Sequence, residues 1–431
     1  MIRQRKSLYI FILVMLAAWP GQSIDLFVST ISVMGLLFVS KLYARRTLLF
    51  SAAICFIVLA SGIRNGPEML LNAAFSLMLL LPICMLVLVK RLKINLSLKE
   101  LKRLLELFLS VEVVVTLINA AYFLMSPRPD SQMIDFGDLI SGTMHYPFTY
   151  HADSANKTFT FLMIVTLALY LSLYGRKAAK TSLVALCGFV IVLSGVNHLI
   201  ILGAIATVVA YSHSIKKIAV VTAGGLVGLI AFAYVNPKNF VVVGEKMSSL
   251  FAYFGQTDDV GTSIDKLAYF VRSWQLFLSN PISLLLTGVG PGTYASRAAE
   301  LLGGTIDPTF AVHSASKLFD SVTGPLYAMF DAKPQYQKGA FYFPYDDVVS
   351  LSVEYGVLFL IVLNIFIFIR VSALQRRFAI FFTIFLIGAG LVDHYYEYTA
   401  AILPISIFIL LACNASSLCV EDDVKSEPTT S

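Results

Sequence analysis

The chain has 431 residues, of which 58% are hydrophobic and only 13% charged, against about 25% charged in an average soluble domain. So few charges cannot cover a water-soluble fold of this size, and the long apolar runs are read as membrane spans. The net charge of +6 needs no nucleic-acid partner when the basic excess sits at loop ends on one side of a bilayer.

In chain order, twelve apolar runs are predicted to span: about 7–20, 26–41, 47–63, 68–89, 106–125, 158–175, 182–197, 198–212, 218–235, 348–369, 378–394 and 398–413. A helix crosses the hydrocarbon core in about 20 residues, with a usable range of roughly 17–25. The first, second, seventh and eighth runs are short and must tilt or extend into their loops. The first follows Arg3, Arg5 and Lys6 as a signal peptide would. It has no clear small-x-small cleavage site and is expected to remain a helix.

The loops order these runs. Most basic residues fall on alternate connections: Lys41, Arg45 and Arg46; Lys90 through Arg103; Arg176, Lys177 and Lys180; Lys216 and Lys217; Arg370, Arg376 and Arg377. The opposite short loops are almost empty of positive charge. The positive-inside pattern places both termini in the cytoplasm and segments 126–157 and 236–347 outside. The expected organisation is all-α and polytopic. Residues 1–235 hold nine helices and the outer loop 126–157, 236–347 form a long outer loop, 348–413 hold three helices, and 414–431 form a cytoplasmic tail. KRLKINLSLKELKRLLELF (90–108) is expected to lie on the inner surface as a basic amphipathic helix. The end of the tail, EDDVKSEPTTS, is expected to be disordered. Cys55, Cys84, Cys187 and Cys413 lie in apolar runs and Cys419 in the tail, with no CxxC, so no disulfide framework is expected.

Ionisable residues are scarce within the spans, where Glu112 is the clearest. That counts against a proton- or ion-coupled transporter and moves attention to the outer loops. The first ends with His145, His151, Asp153 and Asn156. His-x-Asp supplies one or two metal ligands and nothing completes the set, so no metal is expected. The second, roughly 110 residues long, exceeds an idle connector. It carries Arg272, Trp274, TGVGPGTY (287–294), Arg297, His313, Lys317 and FYFPYDD (341–347). Gly288, Gly290 and Gly292 lack the spacing and the strand–turn–helix setting of a dinucleotide site. Two readings stay open: a tight turn between two helices, or a turn presenting backbone N–H groups to an anionic lipid-linked substrate. Asp346 and Asp347, at the outer mouth of the tenth span, are helix caps or a general base.

Taken in order, these features resemble the bacterial O-antigen polymerase and O-antigen ligase superfamily. The resemblance runs over about 150–370. It comprises Asn156 before the sixth span, the Ser-Gly turn LSGVNHLIILG (193–203), a long outer loop read as opening with an Arg, Arg272, and closing on GxGxG, and a polar pair before a helix carrying Glu354, Gly356 and Leu358. It implies a C-type membrane glycosyltransferase fold in the bacterial inner membrane, working at the periplasmic face on undecaprenyl-diphosphate-linked glycan donor and acceptor, with no metal or other cofactor. Arg272 would bind the diphosphate beside the turn of Gly288, Gly290 and Gly292, helped by Arg297 and Lys317. Asp346, Asp347 or His313 would act as base. His151, Asn156, Asn197 and His198 would line the substrate path. Ligases commonly carry a His where Asp346 stands and Ser-Arg where this chain has Gly195-Val196-Asn197-His198, so polymerase is favoured over ligase. A polysaccharide flippase is the non-enzymatic alternative. Membrane lipid, a chain-length regulator and a flippase are the partners the resemblance implies.

Overall fold

A computed structural model describes residues 14, 30–31, 33–94, 96–125, 140–144, 155–211, 266–303, 316–325 and 346–426. The predicted span 218–235, all of the span 7–20 but residue 14, the site residues His151 and His313, and much of the loop 236–347 lie outside these residues.

The protein is a helical membrane protein. Five helices are long and apolar enough to cross a bilayer: α1 (Ala44–Asn65), α2 (Met69–Leu88), α3 (Leu98–Met125), α4 (Ala155–Ala178, its apolar part ending at Gly175) and α13 (Thr399–Ser426, its apolar part ending at Ser416). Between them lie α5 (Thr181–Leu193), α6 (Asn197–Tyr211), α7 (Lys266–Ser279), α8 (Pro281–Leu286), α9 (Arg297–Leu302), α10 (Asp347–Tyr355), α11 (Val357–Ser372) and α12 (Arg376–Gly390). The reason for a membrane setting is visible on the outside. Phe38 is 76% exposed, Leu48 70% and Ile63 88%, and such apolar surface is stable against lipid rather than water.

Helix α13 is the axis of the bundle. Every residue from Asp393 to Ala415 is buried, as expected for a helix apolar on all sides. It packs against α2, α3 and α4, with Phe108 edge-on to Phe408 at 5.2 Å. α6 and α12 pack closely, Gly203 facing Phe385 and Gly388 facing Leu202. Small residues let helix backbones approach in this way.

The helical architecture is the one expected, with one addition and two corrections. First, a short two-stranded ribbon joins the helices at one end. Ser40–Leu42 (β1) and Val89–Leu92 (β2) form an antiparallel ribbon. The α1–α2 hairpin brings Tyr43 beside Leu88, with an N–H···O bond of 2.9 Å, so the flanking segments meet and pair. Second, 90–108 is not a separate surface helix. After β2 the chain starts α3 through a capping box, in which Glu100 accepts from the Ser97 N–H at 2.8 Å and Ser97 Oγ from the Glu100 N–H at 3.3 Å. Leu101, Leu104, Leu105 and Phe108 are buried, so this stretch belongs to the bundle. Third, the run 348–369 is broken at Gly356, whose φ of 92° no other residue adopts readily.

Antiparallel succession sorts the helix ends. One end of the bundle carries β1, β2 and the basic loops. At that end Lys180 pairs with Glu106 at 2.8 Å and Arg370 donates to the Lys90 carbonyl at 2.9 Å. The opposite end gathers the α1–α2 connection, 140–144, the start of α4, the α5–α6 turn, 287–302, the start of α10 and the α12–α13 turn.

Candidate functional site

The glycine segment is a fixed turn between α8 and α9. Gly288, Gly290 and Gly292 have φ of 65°, 130° and 66°. A Cβ on Gly288 would strike the backbone carbonyl of Glu354. The N–H groups of Gly292, Tyr294 and Ser296 donate to the Glu354 carboxylate at 2.5, 2.9 and 3.1 Å. Val289 and Gly290 donate to the carbonyls of Val353 and Glu354 at 2.8 and 3.1 Å, and Gly288 to that of Ser283 at 2.8 Å. From outside, Arg64 reaches the Gly288 carbonyl at 2.7 Å, Asn65 that of Val289 at 2.7 Å and Asn72 that of Gly292 at 3.0 Å. The backbone does cradle a carboxyl group, but that group is the protein's own Glu354. The tight-turn reading describes this segment, and the N–H groups named here are already engaged within the chain.

Behind the turn lies a buried ionisable cluster. Asp346 is the N-cap of α10, its Oδ1 accepting from the Val349 N–H at 2.6 Å, as the cap reading expects. Asp347 faces inward. Its Oδ1 is 3.0 Å from His394 Nδ1, and its Oδ2 accepts from the Tyr396 N–H. His394 Nε2 is 2.8 Å from Glu300 of α9. Asp393 pairs with Lys157 at 2.8 Å and accepts from the Tyr398 hydroxyl at 2.9 Å. Glu397 accepts from the Arg297 N–H at 2.6 Å, while the Arg297 guanidinium lies over the Tyr398 ring at 4.8 Å. Burial alone would make His394 less basic, yet Glu300 and Asp347 outweigh it and lift its pKa well above the usual imidazole range. Burial raises Asp347, against the pull of His394. Burial, then the neighbouring Asp347, pushes Glu397 well above the usual carboxylate range.

The remaining predicted residues divide. Arg272, on α7, is half-buried and donates to the Val322 carbonyl at 3.2 Å. Tyr269, one turn before Arg272 on α7, meets Ser350 of α10, the helix that Asp346 caps, at 3.0 Å. Arg297 is buried and Lys317 is exposed. Asn156 donates to the Ser194 carbonyl at 3.5 Å. Asn197 opens α6, and His198 Nε2 is 3.4 Å from the Tyr395 hydroxyl. Thus the Ser-Gly turn, the start of α4 and the α12–α13 turn meet.

Glu300, Asp393, His394, Glu397 and Lys157 were not among the predicted site residues. The signal was DHYYEY (393–398), a polar, titratable stretch between two apolar runs in a chain poor in charge. Assigning 378–394 wholly to a span hid it. The chain matches no protein-family model and no curated protein.

Proposed function

We propose that this protein is an inner-membrane glycosyltransferase of the O-antigen polymerase kind, with about twelve spans, both termini cytoplasmic and the loop 236–347 periplasmic. It would transfer glycan from undecaprenyl diphosphate to a second lipid-linked repeat unit. One observation supports this reading most. The separate features that carry the resemblance meet at one end of the bundle: the glycine turn closes on Glu354 at the end of α10, and Tyr269 of α7, the helix that carries Arg272, meets Ser350 of α10, the helix that Asp346 caps.

In this reading the half-buried Arg272 and the exposed Lys317 offset the charge that develops on the departing diphosphate. Arg297, stacked on Tyr398, supports the wall of the site. Asp346 is the general base for the acceptor hydroxyl, with its backbone cap fixing its position. The Asp347–His394–Glu300 chain holds the neighbouring turn.

The buried cluster favours a second reading, a proton-coupled lipid-glycan flippase, because titratable groups inside a helical bundle are typical of transport. The glycan profile of a strain lacking the gene separates the readings. A single repeat unit on lipid A–core without a ladder supports polymerase. Bare core with long polymer on undecaprenyl supports ligase. Repeat units held at the cytoplasmic face support the flippase.

A further inference from the structure

His394 presents both ring nitrogens to carboxylates, Nε2 to Glu300 at 2.8 Å and Nδ1 to Asp347 at 3.0 Å. A neutral imidazole carries one N–H. When it points to Glu300, the lone pair of Nδ1 and the Asp347 oxygen face each other as two acceptors, and a positive species has to lie between them. A proton would serve that pair alone. A third acceptor is also present: Glu397 is fully buried, and its Oε1 has no hydrogen-bond partner.

We propose that Asp347, His394 and Glu397 bind one divalent metal ion, a site independent of the glycan-transfer reading. One donor atom from each of the three lies within 4.8 Å of the others. Bonds from zinc to nitrogen or carboxylate oxygen are about 2.0–2.2 Å, so two ligands of a tetrahedral ion stand about 3.3–3.6 Å apart. The ion would draw the most widely separated donors together by up to roughly 1.3 Å.

The surroundings are those of a metal centre. A ligating histidine usually donates its other N–H to a carboxylate, and ligating carboxylates are themselves hydrogen-bonded. Glu300 takes the first part. The Tyr396 N–H holds Asp347, and the Arg297 N–H holds Glu397 at 2.6 Å. One imidazole with two carboxylates suits Zn²⁺ or Mn²⁺ better than Mg²⁺, which prefers oxygen ligands and water. The ion would tie the start of α10 to the α12–α13 turn.

The test uses full-length protein in detergent, its affinity tag removed, stripped with chelator and titrated calorimetrically with Zn²⁺ and then Mn²⁺. One equivalent is expected to bind the wild type. Glu397→Gln should lower affinity by at least about a hundredfold, and Glu300→Gln by about 10–100-fold. No stoichiometric binding by the wild type, or equal binding by Glu397→Gln, overturns the proposal and leaves a protonated His394 bridging two carboxylates. If Glu397→Gln does not fold, the thermal midpoint of stripped wild type decides: a rise with added metal supports the site, and no change overturns it.

Discussion

The N–H of Gly292 lies 2.5 Å from the carboxylate of Glu354, 62 residues further along the chain. Two more N–H groups, of Tyr294 and Ser296, converge on the same carboxylate. The turn and the end of α10 are therefore one unit, held by three hydrogen bonds to one buried carboxyl group.

Glu354→Gln is expected to cost about 2–3 kcal/mol, because an amide NH₂ then faces backbone donors and at least one buried N–H loses its acceptor. Thermal unfolding in detergent measures this. An unchanged midpoint would show that the carboxylate does not hold the turn.

Gly288→Ala and Gly175→Ala form a matched pair. Their φ values are 65° and 66°, but a Cβ on Gly175 meets nothing within 4 Å, whereas one on Gly288 meets the Glu354 backbone. Gly175→Ala should cost only the backbone strain of its φ 66°, ψ 168° conformation, about 1–3 kcal/mol. Gly288→Ala should cost about 1–3 kcal/mol more, as overpacking does. Equal unfolding midpoints would contradict the close approach.

Lys157→Met leaves the buried Asp393 carboxylate without its cation. A loss of about 3–5 kcal/mol is expected. Lys157→Met with Asp393→Asn should recover part of it, a coupling that a double-mutant cycle on thermal stability reads directly. Additive losses would mean that the 2.8 Å contact carries no energy.

Much of this fold was legible in the sequence. The predicted runs 47–63, 68–89, 182–197 and 198–212 correspond to α1, α2, α5 and α6 with ends shifted by a few residues, because each is bounded by polar or glycine residues. The break at Gly356 was not, since apolar residues continue on both sides of a lone glycine. In the site, Arg272, Arg297, Asp346 and Asp347 stood out as charges in a chain that has few. Their partners did not. His394 pairs with residues 47 and 94 positions away, and no periodicity records such a distance. The glycines suggested a cradle for an anion, but which group fills it depends on where α10 packs.

Asp346→Asn separates the two parts proposed for this residue. Asparagine caps helices about as well as aspartate, so stability should change by less than about 1 kcal/mol. If Asp346 is the base, long-chain product should fall by about 10²–10⁴-fold. Gel profiles of complemented deletion strains, at matched expression, give the answer. Full-length polymer would restrict Asp346 to its cap.

The proposed glycan transfer between two lipid-linked repeat units is tested with purified protein in vesicles that hold undecaprenyl-diphosphate-linked repeat units as the only glycan, following product length. A ladder of longer lipid-linked chains is expected, lost with Arg272→Ala. Repeat units that stay single with this acceptor, and are transferred only when lipid A–core is added, would contradict it.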